Sequence, residues 1–562
     1  MKPSPFTLLP TLALCLSLAA AQQQPSVFTH ADTLRGMMSP ERTCYDITYY
    51  HLDIKVDTAS RSVSGSNRIV FRAVSDFDRM QVDLFENMKI DRIEADDGKI
   101  LSFTRDGNAF FISFPQKLKQ GTTRSVTIHY SGTPQVAANP PWSGGFTWTK
   151  DKEGNPWIVV TCQETGASLW WPNKDHQSDE PDSMLLSVTV PVGLTNVSNG
   201  RLRATTELPG GWTRFDWFIS YPINSYNVTI NIGKFVHFGE VFEGAEKLTL
   251  DYYVKPYNLE KAKEQFKQVK PMMECYEKHF GPYPFPRDGY KLVESPHLGM
   301  EHQSAVAYGN NYVQGYRGTG SSEAGVKFDF IIIHETAHEW WGNSVTSRDI
   351  ADMWIHESFG AYAEAVYVEC LFGYEEAMKY VNGKKPNVQN RAPIIGTYNV
   401  HKRGAGDMYD KGQLVLNTLR HVIDNDNLWW EIIKGLAVDF RHSIVTAEDL
   451  FATINKKTGR DYGYFFEQYL KKTKIPVLEL MLTKSGDDVT LRYRWAADVE
   501  GFAMPVKVTT AKGEYSFINP TTSSQTLNLN GLSPDDFRVA TDLFYVDVRL
   551  RTLYLDPKRA MQ

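Results

Sequence analysis

His334 and His338 stand four residues apart in the run Ile331-Ile332-Ile333-His334-Glu335-Thr336-Ala337-His338-Glu339, and Glu357 follows after eighteen further residues. Residues four apart share one face of a helix, so two imidazole nitrogens converge on a single ion. Glu335 projects beside them. Zn²⁺ in catalytic sites takes three protein ligands and keeps a fourth position for water, whose pKa it lowers to about 7. A carboxylate alongside is in position to take that water's proton, so the chemistry is hydrolysis. With 14 His in 562 residues, the five-residue run alone arises by chance in roughly one such chain in fifty. The elements that carry it decide its meaning.

Residues 328–341 are apolar and free of Gly and Pro, as a buried helix requires, and Gly342-Asn343 is a stop signal. A polar turn over 344–348 leads to a second helical pattern that begins near Asp349 and runs through Met353, Trp354, Glu357, Ala361 and Glu364 to Gly373. Glu357 and Glu364 are seven apart and therefore share a face. Glu357 supplies a third metal ligand, and Glu364 is a candidate to orient a liganding His through its second nitrogen.

The spacing H-E-x-x-H, eighteen residues, then Glu resembles the gluzincin peptidases. HETAHEWWGNSVT and MWIHESFGAYAE resemble the aminopeptidase N family, peptidase family M1. His297-Leu298-Gly299-Met300-Glu301-His302 is similar to that family's G-x-M-E-N exopeptidase motif, and Met408-Tyr409-Asp410-Lys411-Gly412 to its Y-E-K-G segment. TAEDLFATINKKTGRDYGYFFEQYLKKTKIP resembles the end of its catalytic domain. The likeness covers roughly 40–480, with dense motifs across 280–420.

The resemblance implies a zinc aminopeptidase with one Zn²⁺ per chain, held by His334, His338 and Glu357, and peptides with a free N-terminus as substrates. Glu335 is then the general base. Tyr409 is the phenol donor that stabilises the oxyanion, a contribution typically worth ~10²- to 10³-fold. Glu301 anchors the substrate ammonium, and so leaves only the first peptide bond within reach, while the backbone at Gly299 and Met300 lines the substrate groove. Gln163, in TCQETGASLWWPNKDHQSDEP, falls where related enzymes share the amine. Its neighbour Glu164 is the alternative, and strand alternation with the spacing to Trp170-Trp171-Pro172 favours Gln163. Three residues depart from the family pattern: Leu298 for Gly and His302 for Asn around Glu301, and His356 for Asn before Glu357. The first two bear on the groove, and His356 reads as a packed imidazole beside the metal.

Hydrolysis of a lipid epoxide, endopeptidase action, and peptide binding without turnover are competing readings. An intact base and oxyanion donor argue against the last, and an ammonium anchor argues against cleavage of blocked peptides.

At 562 residues, 42% hydrophobic and 13% aromatic, the chain is too long for one core. A net charge of -6 without a dense Lys/Arg tract makes nucleic acid an unexpected partner. Lys384-Lys385 and Lys471-Lys472 read as ordinary solvated pairs. Lys2, an apolar stretch over 6–18 and Ala19-Ala20-Ala21 read as a secretory signal over 1–21, too short for a stable membrane span, so an exported periplasmic or extracellular enzyme is expected. Cys44, Cys162, Cys275 and Cys370 are widely scattered and read as unpaired buried thiols. Asn196-Val197-Ser198 and Asn227-Val228-Thr229 match glycosylation acceptors, to which no role is assigned.

Short alternating runs such as HLDIKVD and SVTIHYSG predict an all-β domain over 22–243. Helical spacing then predominates over 244–475, with strands around 291–293 and 305–308. Strand-like runs return over 476–562 and predict a small β-sandwich. The expected class is α+β multidomain: an N-terminal β-sheet domain, saddle-like if the resemblance holds, a thermolysin-like, mostly helical zinc catalytic domain, and a C-terminal β-sandwich.

Overall fold

The computed structural model describes residues 28–486, 488–529 and 531–555. The expected signal segment lies outside the described residues.

The N-terminal part is built on a seven-stranded sheet in the order Arg201–Leu208, Trp212–Ile219, Ser183–Pro191, Tyr45–Asp57, Ser62–Ala73, Thr123–Gly132, Met88–Ala95. Its long strand Tyr45–Asp57 shows why period-two patterning needs correction by local geometry. Tyr45 and Ile47 point into the core at odd positions, whereas Tyr50, Leu52, Ile54 and Val56 do so at even ones. The register against Ser62–Ala73 slips between Ile47 and Tyr49. A bulge there moves the apolar set from one parity to the other and keeps it buried. A three-stranded sheet and a four-stranded sheet complete this part. The latter contains Pro156–Thr161, the strand that delivers the Gln163 turn.

A five-stranded sheet follows, in the order Val236–Glu243, Lys247–Val254, Tyr290–Glu294, Val306–Tyr308, Gly299–Met300. Val236–Glu243 falls within the region assigned from sequence to the first domain. It pairs along its whole length with Lys247–Val254 and so belongs to the sheet that ends at Gly299–Met300. Phe330–Ala337 packs on this sheet, and Val269–Phe280, Trp354–Phe372, Asp410–Ile423, Asp426–Asp439 and Ala447–Thr458 pack on it and on one another as a helical layer. Ile331, Ile332 and Ile333 are at most 2% exposed, each worth roughly 1.5–3 kcal/mol of transfer free energy. Trp341 stacks on Phe359 at 4.4 Å, bringing the chain after the helix of His334 against the helix of Glu357.

Cys275 and Cys370 form a disulfide between Val269–Phe280 and the end of Trp354–Phe372. The expectation of unpaired thiols therefore holds for Cys44 and Cys162, both free and buried, and fails for this pair. Their proximity comes from helix-on-helix packing across 95 residues, which spacing in the chain does not reveal.

The C-terminal part has a four-stranded sheet, in the order Gln525–Asn528, Asp488–Ala496, Val477–Ser485, Asp547–Leu555, and a two-stranded one. Leu478, Leu480, Leu482, Leu491 and Trp495 join one buried cluster with the helical region. Among the described residues no helix is long and apolar enough to cross a membrane.

Candidate active site

The helix Phe330–Ala337 starts at Asp329, whose carboxylate accepts from the Ile331 backbone N–H at 3.0 Å. The same buried carboxylate accepts from Gln265, Tyr308 and Asn310, so the start of the helix is fixed from three directions. The α-helix is shorter than the 328–341 expected from sequence; 338–341 continue as turns and Gly342, at φ +123°, reverses the chain. The second helix, Trp354–Phe372, follows a 3-10 turn that Asp349 caps through Ala351. At Gly360 a Cβ would stand 3.1 Å from His338 Cε1, so glycine lets this helix press against the liganding ring.

His334 Nε2, His338 Nε2 and Glu357 Oε2 form a triangle with sides of 3.3, 3.8 and 3.5 Å. In a tetrahedral zinc site, ligands at ~2.0–2.2 Å lie about 3.3–3.5 Å apart, so the set fits zinc. Each ring's other nitrogen is committed: His334 Nδ1 to Glu364 Oε1 at 2.7 Å and His338 Nδ1 to the Trp341 carbonyl at 2.9 Å. These partners leave both Nε2 atoms as acceptors facing the centre. Glu357 Oε2 is buried without a hydrogen-bond partner, as a group awaiting a cation would be. The chemistry of the donors and the orphaned oxygen agree.

Glu335 faces the same cleft, a cavity of about 930 Å³ lined also by Gln163, Leu298, Gly299, Met300, Glu301, Tyr409 and Lys384. Burial pushes its carboxyl up to about 7, with His334 opposing and Glu357 adding to the rise; a divalent cation next to it pulls it back down. Gly299 approaches so closely that a Cβ there would stand 2.6 Å from Glu335 Oε1. Tyr409 caps the helix Asp410–Ile423, its ring 6.0 Å from that of His334. Burial, and then Glu357, hold its phenol well above the usual range, so it is a donor. Gly412 admits Ser358, whose hydroxyl would be 2.0 Å from a Cβ and which donates to the Met408 carbonyl. Lys411, also in the motif, turns away to the carbonyls of Lys472 and Thr473.

Glu301 follows the edge strand Gly299–Met300 and is 2% exposed. Burial, and then Glu357 and Glu335, raise its carboxyl well above the usual carboxylate range. Gln163 Nε2 donates to Glu301 Oε1 at 2.6 Å and to Glu357 Oε1 at 2.7 Å. The preference for Gln163 over Glu164 agrees with the structure, but strand alternation is not the reason. Both residues lie in a turn, and Glu164, at φ +62°, points away to Arg403 at 2.8 Å.

Leu298 is buried at the cleft wall, and its carbonyl accepts from Gly309. His302 is buried, with neither ring nitrogen partnered. His356 Nε2 accepts from the Ser347 N–H at 2.8 Å, and its ring lies against Gly342; it is packing, not a ligand.

Sequence reasoning missed a support network. Asn343 Nδ2 donates to the Glu301 carbonyl at 2.8 Å, and its Oδ1 accepts from Asn227 Nδ2 at 2.8 Å. Asn227, which matched a glycosylation triplet, is therefore buried structure. Lys384 was also misread. It is not a solvated lysine: its side chain is 12% exposed and its Nζ lies 3.1 Å from Glu364 Oε2. Only Asn343's position just after the zinc helix could have drawn attention to it. Nothing local marks Lys384.

The Peptidase M1 N-terminal domain matches residues 47–227 and the Peptidase family M1 domain matches 264–469. Endoplasmic reticulum aminopeptidase 1 of Homo sapiens is 24% identical over 339 residues, 57% of this chain and 35% of that protein. Aminopeptidase B of Homo sapiens is 23% identical over 399 residues, 67% of this chain and 55% of its own length. The chain thus spans about a third to just over a half of these two relatives. An M1 zinc metallopeptidase from Deinococcus radiodurans, solved with a Tyr-Ser-Ala substrate, shares the fold with a TM-score of 0.65 at 18% identity, over 79% of this chain and 98% of that one. On the two matched domains, the shared fold and the metal-ligand geometry together, the chain belongs to peptidase family M1.

Proposed function

We propose that this chain is an exported aminopeptidase that binds one zinc ion and removes residues one at a time from the free N-terminus of peptides. The observation that carries this reading is Glu301. A buried carboxylate crowded by Glu335 and Glu357 sits in the cleft beside the metal-ligand triangle, and an ammonium is the partner that relieves its cost. Gln163 commits its amide nitrogen to two carboxylates, so its carbonyl oxygen is left to accept from the same ammonium. With the amine held there, only the first peptide bond reaches the reactive atoms.

His334, His338 and Glu357 would hold the zinc ion, which would supply Lewis acidity to the carbonyl and make water easier to deprotonate near neutral pH. Glu335 takes the proton from water and returns it to the departing amine. The Tyr409 phenol donates to the carbonyl oxygen as it gains charge. The edge strand Gly299–Met300 offers its backbone to the substrate chain. Export is supported by the apolar N-terminal pattern and by the Cys275–Cys370 disulfide, since such bonds persist in oxidising compartments.

Glu335→Gln tests the assignment. Metal analysis should still return one zinc per chain while turnover of aminoacyl amides disappears; retained turnover removes Glu335 as the base, and a wild-type preparation that takes up no zinc removes the reading itself.

A further inference from the structure

Glu301, Glu335 and Glu357 line the cleft, and Glu364 stands buried behind His334. Zinc brings two positive charges and a substrate ammonium a third. The protein adds cations of its own. Of the lysine and arginine side chains that line the cleft, Arg391 is exposed, whereas that of Lys384 is 12% exposed.

Lys384 touches two groups that support His334. Its Nζ is 3.1 Å from Glu364 Oε2, while Glu364 Oε1 holds His334 Nδ1 at 2.7 Å. Tyr380 donates to the same Oε2 at 2.6 Å. The ammonium also lies 5.3 Å from the centre of the Phe330 ring, which stacks on the His334 imidazole at 5.2 Å and 13°. On its other side it lies 3.6 Å from Asp410 Oδ1, next in the chain to Tyr409. One side chain therefore ties the imidazole to the helix start that carries the phenol.

We infer that Lys384 is a positioning residue, holding His334 through Glu364 and Phe330, and Tyr409 through Asp410, in the one geometry that serves both metal and oxyanion. This rests on the zinc reading above. The sign of one measurement separates positioning from simple charge. If Lys384 acted only through its field, removing a cation near the metal would tighten zinc. If it orients Glu364 and His334, removing it loosens zinc, by the ~10- to 100-fold typical of lost outer-shell partners.

The test is zinc affinity by competition with a chromophoric chelator, on the full chain and on Lys384→Met, Lys384→Arg and the neighbouring Lys385→Met. Lys384→Met should bind zinc ~10- to 100-fold more weakly. At saturating zinc it should also lose kcat with KM changed less than about threefold. Lys384→Arg should recover most of both, and Lys385→Met should match wild type. Unchanged or tighter zinc in Lys384→Met overturns the inference, as does an Arg variant as impaired as the Met variant. If Lys384→Met does not fold, Lys384→Gln carries the same prediction. A wild-type chain that binds no zinc fails the earlier reading instead.

Discussion

Gly299→Ala makes the sharpest demand on the geometry. The new methyl would stand 2.6 Å from Glu335 Oε1, 2.7 Å from Ile331 Cγ2 and 3.0 Å from Glu335 Cγ. Ordinary contact begins near ~3.5 Å, so the neighbours must yield by roughly 0.9 Å. Ile331 is 2% exposed and β-branched, with one strongly preferred rotamer in a helix. Glu335 ends in the open cleft, so it is the side chain that moves. A displacement of about 1 Å in a catalytic group costs on the order of 10²-fold in rate, and overpacking costs about 1–3 kcal/mol in stability. No zinc ligand is among the atoms met, so zinc affinity should be unchanged. Steady-state kinetics on an aminoacyl amide, beside a zinc titration and a denaturant melt, read all three quantities. Wild-type kcat in a folded Gly299→Ala protein would refute the claim that Glu335 must lie against that strand.

Other perturbations separate the remaining roles. Glu301→Gln should raise KM for free-amine substrates roughly 10- to 150-fold, the equivalent of losing a charged hydrogen bond worth ~1.5–3 kcal/mol; an unchanged KM would remove the anchor. Tyr409→Phe should lower kcat ~10²- to 10³-fold at constant zinc affinity, and a loss of zinc instead would make it structural. Under denaturing, non-reducing conditions thiol labelling should find Cys44 and Cys162 and spare Cys275 and Cys370 among the described residues, and reduction should cost ~2–5 kcal/mol; labelling at Cys275 and Cys370 would exclude the bond. Burial lowers the pKa of His176 and His297 to about 3 and of His401 to about 4. Below pH ~6.5 the unfolded chain takes up protons that the folded chain refuses. Each of these histidines therefore withdraws roughly 1.4 kcal/mol per pH unit below that pH, against the opposite contribution of Glu180 and Glu339, which burial raises to about 7; a His176→Gln variant should lose less stability than wild type between pH 7 and 4.5, and an equal loss would contradict this.

The convergence of His334, His338 and Glu357 was legible because the pattern is local. His334 and Glu335 lie on one helix whose end His338 caps, and the Glu357–Glu364 face follows from a spacing of seven on the next. That Glu301 and Tyr409 would share the cleft was legible through short motifs. What escaped depends on the third dimension. Lys384 stands twenty residues from Glu364 in the chain, at the end of a different helix, and a lysine pair among polar neighbours looks solvated until two aromatic rings and two carboxylates close over it. Cys275 and Cys370 meet only because their helices pack. Gln163 was chosen on an argument about strands, whereas a positive φ at Glu164 does the sorting. The bulge beside Ile47 likewise left no mark in the alternation except its change of parity.

The central claim is tested most directly with matched aminoacyl chromogenic amides, free and N-acetylated, before and after chelation and after zinc is restored. The account predicts cleavage of the free-amine set alone, abolished by the chelator and recovered with zinc. Cleavage of the acetylated set, or activity that survives removal of the metal, would contradict it.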